Sequence, residues 1–225
     1  MTAIASPVRS VLLFISTYLF PLFGFPLVAY AWWRVGHSWP FVVVVMGVPV
    51  VFGYVMPAIL TGVIKRWRFT SGPRLGPYYV HHGFIYGSKL ALALLAVVRS
   101  FDTVVSVLDV VAISVVTGAA TAFGGWWHDT QAVRAGKIAI DDGIEGLSTF
   151  APPSYFAMGA TYAAVSIAAR RVLIAEPGAL PWVFPAALVT LCLVPTIVFV
   201  AVDPPSRQVL RDLLARKRSR FNTGG

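Results

Sequence analysis

The length of its apolar runs decides what solvent this chain folds in. Residues 11–33 form an almost unbroken apolar stretch of 23 residues between Arg9 and Arg34. A bilayer-spanning helix needs about 20 such residues. Comparable runs recur at 39–64, 84–98, 103–127, 148–169 and 181–202. Charged residues make up only 12% of the chain, against roughly 25% in average soluble proteins, and mean hydropathy is +0.76. The expected fold class is therefore all-α: a polytopic membrane helix bundle with about six transmembrane helices, occupying residues 1–205. Residues 206–225 follow as a basic tail whose Val209, Leu210, Leu213 and Leu214 recur at helical spacing, the pattern of a helix lying in a membrane interface.

Boundaries follow from punctuation. The first run is longer than the roughly 7–15 residues of a signal-peptide core, so a retained helix is expected even though Ala29-Tyr30-Ala31 resembles a cleavage site. Lys65-Arg66-Trp67-Arg68 stops the second span. The third allows two drawings. Starting at Phe84 it has about 15 residues before Arg99, short of the usual length. Starting at Tyr78 it has 21, and length favours this drawing. The stretch from His128 to Gly146 reads as the longest loop, and the fifth span as starting at Ser148.

Charge sets the expected orientation. The net charge is +9, and six of the eighteen Lys and Arg residues follow position 205. With six spans and a cytoplasmic N-terminus, thirteen basic residues fall inside and four outside, a positive-inside bias. Both termini are expected in the cytoplasm. No interleaved basic and aromatic surface accompanies the charge, so membrane lipids rather than nucleic acid are the expected partners. The residues identify no protein partner.

The polar residues concentrate between Tyr78 and Glu145. Two segments there hold three of the four histidines and four of the nine acidic residues. His82, Tyr86 and Lys89 are spaced four and three apart, hence on one helix face. His128 and Asp129 close the fourth span, and a short third-to-fourth connection would bring them to the same membrane side as His81 and His82. Asp141, Asp142 and Glu145 precede the fifth span, where they could act as acids or stabilise the helix N-terminus. Lys89 and Asp109 are the ionisable residues set deepest in spans, at depths that allow an ion pair.

These groups point to a membrane enzyme acting on a lipid-like or isoprenoid substrate from the cytoplasmic side. His82, His128, Asp129, Tyr86 and Glu145 are the candidate acid–base residues, and Arg74, Lys89, Asp109, Asp141 and Asp142 the candidate substrate-binding residues. The alternative is a small transporter or channel with Lys89 and Asp109 on an ion or proton path. The histidine spacing fits no metal-binding motif, so no metal ligands are assigned and no cofactor is named.

Overall fold

The computed structural model describes residues 7–75, 78–98, 100–101, 104 and 106–222. It is an all-α helical bundle, in which five helices are long and apolar enough to cross a membrane. The first crosses as α1 (Pro7–Phe14), a π-helical stretch Ile15–Gly24 and α2 (Phe25–Gly36). Ser38 caps α3 (Trp39–Pro57), which continues as a second π-helical turn, Ala58–Val63. Next come α4 (His82–Val97), α5 (Val107–Arg134), α6 (Gly143–Ala175), α7 (Leu180–Val202) and the tail helix α8 (Pro204–Asn222). Leu22, Phe23, Leu27, Phe123 and Ile197 are all exposed on the outside of the bundle, as lipid-facing residues should be.

Two expectations are corrected. Helix α4 begins at His82, not Tyr78. Its 16 residues reach about 24 Å at 1.5 Å per residue, less than the roughly 30 Å of a bilayer core. The four residues before it fold differently: Tyr78–Tyr79 is a strand and His81 the N-cap. The supposed loop from His128 is helix as far as Arg134, and α6 starts at Gly143 rather than Ser148. His128 and Asp129 therefore sit on a rigid helix. Trp32 is fully buried, and its Nε1 donates to the Ala91 carbonyl at 3.1 Å.

Four short strands cap the end of the bundle where α4 starts. β1 (Trp67–Phe69) pairs antiparallel with β4 (Ile138–Ile140), with Arg68 opposite Ala139. β2 (Arg74–Leu75) pairs with β3 (Tyr78–Tyr79).

Prolines interrupt the helices, and other helices repair the damage. A proline removes the N–H that would bond the carbonyl four residues earlier. Pro49 thus frees the Val45 carbonyl, which accepts from the buried Tyr162 hydroxyl of α6 at 2.6 Å. In the π-helical stretch of the first span, the Thr17 carbonyl likewise accepts from His81 Nε2 at 2.8 Å. In lipid no water is at hand for this purpose, so each bond ties two spans together. Close helix contact does the rest. A Cβ at Gly87 would come within 2.5 Å of Val50 Cγ2, and one at Gly159 within 2.8 Å of the Thr117 carbonyl.

Candidate functional site

The strand cap closes one end of a cavity of about 470 Å³ between α4, α5 and α6. Each helix sends polar groups into an otherwise apolar wall. His82, Tyr86 and Lys89 come from one face of α4, His128 and Asp129 from the last turns of α5, and Tyr155 from α6. Sequence spacing placed the α4 trio on one face. The tertiary fold adds the facing pair and a residue that reading missed, Tyr155.

Asp129 is the hub. Its Oδ1 lies 3.0 Å from His128 Nδ1, and its Oδ2 accepts a short hydrogen bond from the Tyr155 hydroxyl. With both carboxylate oxygens engaged, Nδ1 of His128 carries the proton and Nε2 is left with the lone pair. That Nε2 is buried without a hydrogen-bond partner. Tyr86 of α4 lines the same cavity as this cluster.

A glycine makes this geometry accessible. Tyr155 lies directly against Gly125 of α5, where a Cβ would meet its Cδ2 at 2.6 Å. The ring can thus lie flat on α5 and reach a carboxylate one helical turn further on.

His82 faces the cluster from α4. Only 6% of it is exposed, yet neither ring nitrogen has a hydrogen-bond partner. It is held by rings: Phe69 at 5.2 Å, Tyr86 at 5.1 Å and Trp67 at 6.3 Å between centroids. Phe69 in turn stacks on Tyr79 at 4.1 Å. The strands therefore act as an aromatic roof over the imidazole. A buried polar side chain without a partner is uncommon in a native structure and points to a binding role.

The other candidates lie elsewhere. Asp109 does not line the cavity. It forms a capping box with Ser106 at the start of α5, accepting from the Ser106 N–H at 2.8 Å and from its hydroxyl at 2.7 Å. The Lys89–Asp109 ion pair judged feasible from depth is not formed, because the carboxylate is used for capping while Lys89 lines the cavity.

Asp142 and Glu145 sit at the N-terminus of α6 and do not line the cavity either; nor does Asp141. Asp142 Oδ2 instead accepts from Arg66 Nη2 at 2.8 Å. The same guanidinium binds Asp203 Oδ1, 3.2 Å from Nε, and Asp203 also caps α8 through Ser206. This ion cluster joins the segment just before β1 to the starts of α6 and α8, and Asp203 escaped the sequence reading because nothing local marks it as paired. Arg74 lies in strand β2, and its side chain falls outside those described.

Among the described residues, no group of three His, Cys, Asp or Glu residues is placed to hold a metal ion. His82 and the His128–Asp129 pair flank the cavity without forming a ligand set. Comparison of the chain with known protein families, with characterised proteins and with solved structures finds no match to any of them.

Proposed function

We propose that this protein is an integral membrane enzyme that performs acid–base chemistry on a lipid-like substrate held in the α4–α5–α6 cavity. The observation carrying this reading is the His128–Asp129–Tyr155 cluster, with its free Nε2, in an apolar chamber opposite an unpartnered His82. A carboxylate bonded to Nδ1 fixes the tautomer and supports the imidazolium that forms when Nε2 takes a proton. His128 is thus the base, Asp129 and Tyr155 position it, and His82 returns or relays the proton. Tyr86 contributes a further hydroxyl to the chamber. General acid–base assistance of this kind contributes about 10²–10⁴-fold to a rate.

The apolar walls fit a hydrocarbon substrate, and the charge distribution favours a cytoplasmic position for the cluster. Both termini belong on that side by the same bias. A proton or ion path through Lys89 and Asp109 is the weaker alternative, since Asp109 is occupied in a helix cap at the far end of α5.

The test is turnover of a membrane lipid extract by purified protein in D2O, read by mass spectrometry. A lipid that gains deuterium or changes mass, in a manner lost in His128→Ala and Asp129→Asn, is the expected outcome. Activity unchanged in both His82→Ala and His128→Ala rules the assignment out.

A further inference from the structure

The cavity's polar groups are unevenly satisfied, and the imbalance identifies the head of its ligand. Asp129, the carboxylate lining the chamber, already accepts from His128 and Tyr155. Lys89 has no hydrogen bond or ion pair among the described residues, and both nitrogens of His82 are unpartnered. Lys89 lies seven residues beyond His82 on the same face of α4, about 10 Å further along the axis. What is left over is therefore an ammonium with three donors, an imidazole able to donate and the His128 Nε2 lone pair, which the base role reserves for a proton. An unpaired cation in an apolar span is costly, and such residues usually meet a counter-charge or a wet cavity.

The other end of the chamber is built for hydrocarbon. Leu92, Ala93 and Ala96 of α4 face Ala120 and Gly124 of α5, and small side chains here keep the two helices from filling the gap. Leu92 and Trp127 are 40% and 41% exposed while lining the cavity. They form a rim on the lipid-facing surface, through which a chain can enter sideways. The volume of about 470 Å³ falls in the lower half of the roughly 300–1,000 Å³ that holds one small ligand.

We propose that the cavity binds a single-chain amphiphile with a small anionic head, a carboxylate or a phosphate monoester, the head lying between Lys89 Nζ and the His82 ring and the chain running between α4 and α5. This rests on the lipid-site reading above and specifies its substrate class. Lys89 supplies the counter-charge, His82 a directed hydrogen bond, and the α4–α5 gap the chain slot.

Photolabelling of the purified full-length protein with a diazirine-bearing palmitic acid tests the assignment without requiring turnover. Labelled peptides from α4 and α5 should be suppressed by excess palmitate and by hexadecyl phosphate, the two competitors separating a carboxylate from a phosphate preference. Methyl palmitate and hexadecylamine should compete at least about tenfold less well. Lys89→Met should lose about tenfold in apparent affinity and Lys89→Arg should retain it, while Asp129→Asn should still bind.

Equal competition by the methyl ester or the amine overturns the anionic head, as does undiminished labelling of Lys89→Met, and both leave a lipid site in place. Should no amphiphile label these helices saturably, the lipid-site reading fails as well. The competition series on the unmodified protein decides the matter even if Lys89→Met does not fold.

Discussion

The Tyr155 hydroxyl of α6 donates to the Asp129 carboxylate of α5, across 26 residues of sequence and one helix–helix contact. Asp129 is thereby held from both sides, by an imidazole and a phenol. Hydrogen bonds to a charged group contribute about 1.5–3 kcal/mol. Tyr155→Phe should therefore lower kcat by roughly 10–100-fold, and His128→Ala by about 10²–10⁴-fold. If the cluster works as a unit, the double variant should be little worse than His128→Ala alone. Steady-state rates on the lipid identified in the D2O screen check this, and additive losses would show that Tyr155 acts elsewhere.

Gly124 and Gly125 make a matched pair for testing how that contact is made. A Cβ at Gly125 collides with the Tyr155 ring, whereas one at Gly124 meets nothing within 4 Å. Gly124→Ala should leave the Tyr155–Asp129 contact in place, its effect on turnover confined to KM because its Cβ enters the chain slot, and should stabilise α5 by up to about 1 kcal/mol, since glycine is the poorer helix former. Gly125→Ala should push Tyr155 off Asp129 and reproduce the loss seen in Tyr155→Phe. Activity together with unfolding in mixed micelles separates the two effects.

How far the sequence discloses this site depends on the range of the interactions that form it. Runs of apolar residues bounded by charge located α3 and α7 closely, because span ends are set locally by where hydrocarbon stops. Helical spacing grouped His82, Tyr86 and Lys89 for the same reason. The true start of α4 was hidden, since Tyr78–Tyr79 leaves the helix to pair with Arg74–Leu75, and β1 pairs with β4 some seventy residues on. Three-residue strands have no periodicity to detect. Tyr155 was invisible as a site residue because its role comes from a glycine on another helix. Asp109, conspicuous as an acid in a span, proved to be a helix cap, and Ser106 three residues before it was the available clue.

Arg66 is 6% exposed and Asp203 1%. Removing one partner of a buried ion pair strands the other, at a cost of about 3–5 kcal/mol. Arg66→Met should therefore destabilise the protein severely and loosen α8 from the bundle. Adding Asp203→Asn to Arg66→Met should recover much of the loss by removing the stranded buried charge. Equilibrium unfolding and limited proteolysis of the tail check both parts. No recovery would mean that the guanidinium acts mainly by packing, for which its position over the Phe150 ring at 5.4 Å is the alternative basis.

Orientation can be read with one reactive thiol at a time. Cys192, the native cysteine, is first replaced by serine. Gln208→Cys then reports on exposed α8 and Gly178→Cys on the exposed turn between α6 and α7. With the positive-inside arrangement, a membrane-impermeant maleimide should modify position 178 in intact cells and position 208 only after permeabilisation. The reverse pattern would invert the protein and put the His128–Asp129 cluster on the outer face.

The bond from Tyr162 to the Val45 carbonyl exists because Pro49 lacks an N–H, and the two residues should therefore be energetically coupled. In the native background Tyr162→Phe leaves a buried carbonyl unsatisfied and should cost about 1–3 kcal/mol. Pro49→Ala restores a backbone donor at position 49, which can bond Val45 within α3. Tyr162→Phe should then cost markedly less, and the cycle should show a coupling of about 1 kcal/mol or more. Four unfolding curves in mixed micelles supply the numbers. A cost that is the same in both backgrounds would mean that Tyr162 stabilises the α3–α6 contact through its buried ring rather than by completing the hydrogen bonds of a broken helix.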